Sequence, residues 1–315
     1  MRFLKLSLLL SLLPAFAVAA PPPGIPDGWS DGFVYANGIR IHYYHAAPAP
    51  GKPVLIMVHG VTDIGLSWTT LTWKLQGAYD IYMTDTRGHG LSDPFTSADD
   101  ADTLIKDVVD FVHVMKFEKP ILMGHSMGAA TVMRVGAEYP DLAKAIIMLD
   151  PFVGGGGPGG RPPAAPATQP PAPARPTSTD PLAFSMFGDP QTLVKQNNYS
   201  YEELVARCHH QSPKWDIVDC EYWALSKKQY HGPYSKAEGE AMSGSMRTQE
   251  SLAKITVPAL ILKADAPPEA RKAQDEAARV MQHGYLVHIA DSGHNLHHDQ
   301  LSRTVDELTK FLSTL

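Results

Sequence analysis

Cysteine is scarce in this chain: among 315 residues only Cys208 and Cys220 carry thiols. Two cysteines this close can close one small disulfide loop in an oxidising compartment. The neighbouring Cys208-His209-His210 and Asp219-Cys220 match no standard zinc spacing, which argues against a metal site. An excess of positive charge is missing as well. The 27 basic residues are outnumbered by 33 acidic ones, and a formal charge of -6 with no basic stripe excludes nucleic acid as a partner. No apolar run is long enough for a comfortable membrane span, since Leu6 to Phe16 falls short of the roughly 20 residues required.

That apolar run follows Arg2 and Lys5 and precedes the small residues Ala17-Val18-Ala19, the order of a signal peptide over residues 1–19. No cysteine succeeds it to carry a lipid anchor. A secreted or periplasmic protein without a stable membrane anchor is therefore expected.

The length allows one large α/β domain with an insertion. Phe33 to Ala36 and Ile39 to Tyr44 flank Asn37-Gly38, a dipeptide suited to a tight hairpin turn. Continuous apolar runs follow at Val54 to Val58, Ile81 to Met83, Ile121 to Met123, Ala145 to Leu149, Ala259 to Leu262 and Leu286 to Ile289. Unbroken runs of this length fit parallel strands buried on both faces, with helices such as Ala101 to Met115 between them. Residues 20–150 and 249–315 are assigned to this core. The rhythm stops over residues 151–248, read as a helical cap insertion. It begins with a Gly/Pro-rich segment at about 154–178 whose glycines lack the Lys-Ser/Thr ending of a phosphate loop. Its later part is rich in aromatic residues, which suggests an apolar acyl or aryl group on the substrate or, more simply, a core of the cap's own.

The chemistry centres on Gly124-His125-Ser126-Met127-Gly128, which ends one apolar run and opens a helix-compatible stretch, Met127 to Tyr139. This is the pattern of a nucleophile elbow, a sharp strand-to-helix turn that exposes a serine hydroxyl. Such a hydroxyl needs a base and a group to orient that base. His294, in a loop after the last predicted strand, is the base candidate ahead of His297 and His298. Asp265, after the penultimate strand, is the favoured acid, with Asp150 as the alternative from the strand before. The developing oxyanion requires two backbone N–H donors, assigned to Met127 and to Val61 after His59-Gly60.

With His59-Gly60, Asp85 to Ser92, the Ser126 pentapeptide and Ser292-Gly293-His294 in place, the chain resembles the α/β-hydrolase superfamily in its cap-bearing branch. The resemblance implies a mostly parallel sheet with helices on both faces and an inserted helical cap. It also implies a triad of Ser126, Asp265 and His294, with Arg87 and His89 tying loops together. Dehalogenases and epoxide hydrolases of the superfamily use an aspartate nucleophile, whereas serine points to acyl transfer. The expected activity is cleavage of a small-molecule carboxylic ester through an acyl-enzyme on Ser126, with no cofactor and no metal. Alternatives are a lactone, an amide, a carbon–carbon bond, or binding without turnover. The lysine and alanine before Asp265 depart from the family's frequent glycine.

Overall fold

The apolar runs become strands because consecutive residues in each are buried on opposite faces of one sheet. In the computed structural model, which describes residues 22–154, 198–232, 235–244, 246–248 and 250–315, the sheet has eight strands. They are β1 (Ser30–Ala36), β2 (Ile39–Ala46), β3 (Val54–Val58), β4 (Asp80–Thr84), β5 (Ile121–His125), β6 (Ala145–Leu149), β7 (Ala259–Lys263) and β8 (Gly284–His288). The expected signal peptide at 1–19 and all but the first residue of the Gly/Pro-rich segment lie outside the described residues.

The strand order is β1-β2-β4-β3-β5-β6-β7-β8. β1 and β2 form the antiparallel hairpin, with Asn37 and Gly38 at φ 44° and 80° as that turn requires. β2 also runs antiparallel to β4, and every pairing from β4 to β8 is parallel.

On one face Ile56, Val58, Leu122, Ile146, Met148 and Ile261 pack with Val108 and Phe111 of α2 (Thr103–Val114) and with Val132 and Met133 of α3 (Met127–Glu138). On the other, Leu55, Met57, Met123, Ile147 and Leu262 pack with Leu71 of α1 (Thr69–Leu75) and with Leu308 and Phe311 near the C-terminus. Each such side chain contributes about 1.5–3 kcal/mol when removed from water. The two-sided demand explains why the runs do not alternate.

Helices α4 (Tyr201–Gln211), α5 (Ile217–Lys228), α6 (Lys236–Gly244) and α7 (Ser251–Lys254) lie in the chain between β6 and β7. A capping box starts α4, in which Ser200 Oγ accepts from the Glu203 N–H and the Glu203 carboxylate accepts from the Ser200 N–H. Cys208 of α4 and Cys220 of α5 form a disulfide with Cα atoms 5.4 Å apart. Leu204, Trp215, Trp223 and Ala224 pack around it. The buried tryptophans thus fill this segment's own core, while Phe184, Phe187 and Tyr234 lie outside the described residues. After β7 come α8 (Pro268–Ala278), α9 (Leu296–Asp299) and α10 (Leu301–Leu312).

The order of the parallel strands decides the site. β5 is flanked by β3 and β6, so the loops leaving the C-terminal ends of these three strands converge at one sheet edge.

Candidate active site

Ser126 occupies the turn between β5 and α3 with φ 53° and ψ -114°, a region an L-residue enters only under constraint. Both elbow glycines are dictated by close approach. A side-chain carbon on Gly124 would land on the carbonyl of Gly128, and one on Gly128 would land on the carbonyl of Val58 in β3. The turn is tied to the next strand by the Ser126 N–H, which donates to Leu149 O at 3.0 Å.

Ser126 Oγ lies 2.8 Å from His294 Nε2. The other ring nitrogen, Nδ1, is 2.6 Å from Oδ2 of Asp150. The acid beside His294 is therefore Asp150, and the assignment of that position to Asp265 is corrected. β6 pairs directly with β5, and Asp150, at φ 44°, leaves the end of β6 next to the elbow. Asp265 is one strand farther away. Its carboxylate forms an ion pair with Arg271 of α8 and accepts from the Asp291 N–H at 2.8 Å, so it fastens the loop that carries His294. These two donors hold the Asp265 carboxyl below its ordinary value.

Asp150 is almost fully buried. Burial opposes its ionisation, but the His294 hydrogen bond and the Lys263 ammonium outweigh it and hold the carboxyl well below the usual range. Lys263 forms an ion pair with Oδ1 and also donates to Pro151 O at 2.8 Å, while the Ala264 N–H donates to Oδ1 at 3.2 Å. An ionised carboxylate only accepts, so the proton between Asp150 and His294 sits on Nδ1. In the neutral imidazole Nε2 then carries the lone pair, 2.8 Å from the Ser126 hydroxyl.

The loop after β3 lies against the elbow: a side-chain carbon on Gly60 would come within 3.2 Å of Ser126 Cβ. Val61, the next residue, packs with Met127 and Phe95. His59 is a tie rather than a reactive group. Its Nδ1–H donates to Gly60 O at 2.7 Å, and its Nε2 accepts the Thr86 N–H at 2.9 Å. His89 makes the reciprocal tie, its Nε2 accepting the N–H of Thr62 in the loop after β3 at 3.1 Å. Arg87 joins Asp99 and Asp107.

His297 and His298 are buried in α9 with ring centroids 4.0 Å apart, and the imidazole that meets Ser126 is that of His294. His125 steadies the loop by donating from Nε2 to His294 O at 2.9 Å. Lys263 supports this carboxylate, and its signal in the sequence is a lysine that closes an apolar run. A buried ammonium needs an anion beside it.

Residues 55–307 match the model of a family described as "Alpha/beta hydrolase family". The chain belongs to that family. Over 128 residues it is 34% identical to N-formylmaleamate deformylase of Pseudomonas putida, a stretch covering 40% of this chain and 47% of the relative. Over 127 residues it is 25% identical to epoxide hydrolase 1 of Caenorhabditis elegans, covering 40% and 31%. The matched part thus spans less than half of either relative's length. Among solved structures, N-formylmaleamic acid deformylase from Pseudomonas putida aligns with a TM-score of 0.64 at 22% identity, over 89% of this chain and 100% of that one, which shows a shared fold. The chain has the fold of this family, with a mostly parallel eight-stranded sheet.

Proposed function

We propose that the protein is an exported serine hydrolase that cleaves carboxylic esters of small molecules, with Ser126, His294 and Asp150 as its triad. The observation that carries this reading is the continuous hydrogen-bonded line from Ser126 Oγ through the His294 imidazole to a buried, ionised carboxylate. In this mechanism Ser126 Oγ forms a bond to the ester carbonyl carbon while its proton passes to His294 Nε2. Asp150 stabilises the imidazolium through Nδ1–H. The carbonyl electrons move onto oxygen, which accepts from the N–H groups of Val61 and Met127. When that oxyanion collapses, the bond to the alkoxy group breaks and His294 returns the proton to the departing alcohol. Water then attacks the acyl-enzyme, giving a proton to His294, and as the bond between Ser126 Oγ and the acyl carbon breaks His294 returns that proton to Oγ and the acid departs.

The serine at the elbow separates this chemistry from the aspartate nucleophile of epoxide hydrolases. A second reading, an amide bond such as an N-formyl amide, is favoured by the 34% identity to N-formylmaleamate deformylase. Saturable turnover of p-nitrophenyl esters of increasing acyl length, set beside an N-formyl amide, tests the two. Faster, saturable ester cleavage supports the first reading, and cleavage of the amide alone replaces it by the second.

Export rests on the composition of the first 19 residues and on the Cys208–Cys220 disulfide, a bond that persists in oxidising compartments. A mature chain beginning just after Ala19 in the secreted or periplasmic fraction is the expected result, and a chain retaining Met1 in the cytoplasm contradicts it.

A further inference from the structure

α5 carries two buried charges that its own packing does not need. Asp219, Trp223 and Lys227 stand four residues apart and share one face of the helix. Near its start, Asp219 Oδ1 accepts from Thr70 Oγ1 at 2.7 Å, and its Oδ2 lies 3.1 Å from His298 Nδ1. Burial works against protonation of His298, but Asp219 outweighs it and raises the imidazole above its ordinary value. At the other end, Lys227 Nζ donates to both the carbonyl and the hydroxyl of Thr62 at 2.8 Å and lies 3.5 Å from Asp63 Oδ1.

Lys227 thus holds the loop after β3, while Asp219 holds α1 through Thr70 and, through His298, the helical turn α9 that follows His294. Thr62 follows the proposed oxyanion donor Val61 and is held at φ 66°. His298 lies four residues past His294. The lead-in to α5 adds two further ties to the histidine loop. Lys214 Nζ donates to Asp291 O at 2.9 Å. Trp215 Nε1–H donates to Asp299 Oδ1 at 2.8 Å, and Asp299 Oδ2 accepts the Gly293 N–H at 2.7 Å.

A charge kept out of water costs free energy unless it is fully paired, and an apolar side chain would pack at lower cost. What the charges supply is direction: Lys227 fixes the oxyanion loop, and Asp219 fixes the helical turn after His294, against the same helix. We propose that α5 is a brace that sets the catalytic base and the oxyanion loop together, with Asp219 and Lys227 as its positioning residues. This rests on the serine-hydrolase reading above. Because both ends belong to one helix, displacing α5 would spoil base and oxyanion donor at once, so α5 controls turnover through Asp219 and Lys227 rather than through the reacting atoms.

The test uses the full chain with p-nitrophenyl acetate and compares wild type with Asp219→Asn, Lys227→Met and Trp215→Phe. The last keeps an aromatic ring and removes only the N–H donor. Each variant should lower kcat by at least about tenfold while KM stays within about twofold, since misplacement of catalytic groups acts on the transition state. The Lys227 ammonium faces Asp63 and Thr62, with the imidazoles of His59 and His89 nearby, and burial lowers its pKa to about 8. Wild-type kcat should therefore decline above that pH, and Lys227→Met should lack this limb.

The brace is contradicted if the folded variants keep kcat within about twofold of wild type, or if Lys227→Met retains the alkaline decline. Where Lys227→Met does not fold, Asp219→Asn and Trp215→Phe decide by the same criterion. A wild-type protein that neither turns over the ester nor takes a fluorophosphonate on Ser126 overturns the hydrolase reading itself, and the brace with it.

Discussion

Lys263 and Asp150 form a buried ion pair across adjacent strands, the ammonium on one carboxylate oxygen and His294 on the other. The acid is thus held on both oxygens, in the turn that ends β6, a strand paired with β5 on one side and with β7 on the other. Asp150→Asn keeps the shape but no longer forces the proton onto Nδ1. Turnover should fall by about 10³–10⁴-fold, the scale of tautomer loss in a serine triad. Asp265→Asn, which loosens only the histidine loop, should cost less than about tenfold. Steady-state kinetics of the two variants checks this, and a reversal of their order would return the acid role to Asp265.

Removing the lysine tests the same pair through stability. Lys263→Met leaves Asp150 buried without its cation, and breaking a buried pair from one side costs about 3–5 kcal/mol. Urea denaturation at neutral pH measures this loss, and an unchanged midpoint would show that Lys263 does not support the acid.

The pH dependence of stability follows from the depressed carboxyl of Asp150. Its folded-state pKa lies below its unfolded one, so its contribution is complete above the unfolded value of about 4 and is lost as pH falls through the folded value. The stability advantage of wild type over Asp150→Asn should therefore be constant from neutral pH down to about 5 and shrink in stronger acid. Denaturant midpoints of both proteins across that range give the answer. An advantage that grows on acidification would contradict the assigned charge state.

The disulfide links α4 to α5, and closing a loop of 12 residues' separation should contribute about 3 kcal/mol by restricting the unfolded chain. Cys208→Ser with Cys220→Ser should lower the unfolding free energy by that amount. Non-reducing peptide mapping should recover the two cysteines as one cross-linked peptide.

The strands were legible because burial on both faces writes continuous apolar runs, as in Ile146-Ile147-Met148-Leu149. The elbow and His294 were legible because a strand end followed by glycine and a polar group has few other uses. The acid was not. Asp150 and Asp265 both follow a strand, and what separates them is tertiary: β6 lies beside β5 while β7 is one strand farther, and Asp265 is engaged by Arg271. Asp219 and Lys227 were invisible for a different reason. Charges at helical spacing normally mark a solvated face, and their burial arises from packing of α5 on α1 and on the turn at Gly65–Trp68.

In the proposed mechanism Ser126 is made nucleophilic by His294. Reaction of the purified mature protein with a fluorophosphonate, followed by peptide mass mapping, measures this directly. One adduct on Ser126 is expected, abolished by Ser126→Ala and strongly slowed by His294→Ala. Folded wild-type protein that takes no adduct, or takes it on another residue, would contradict it.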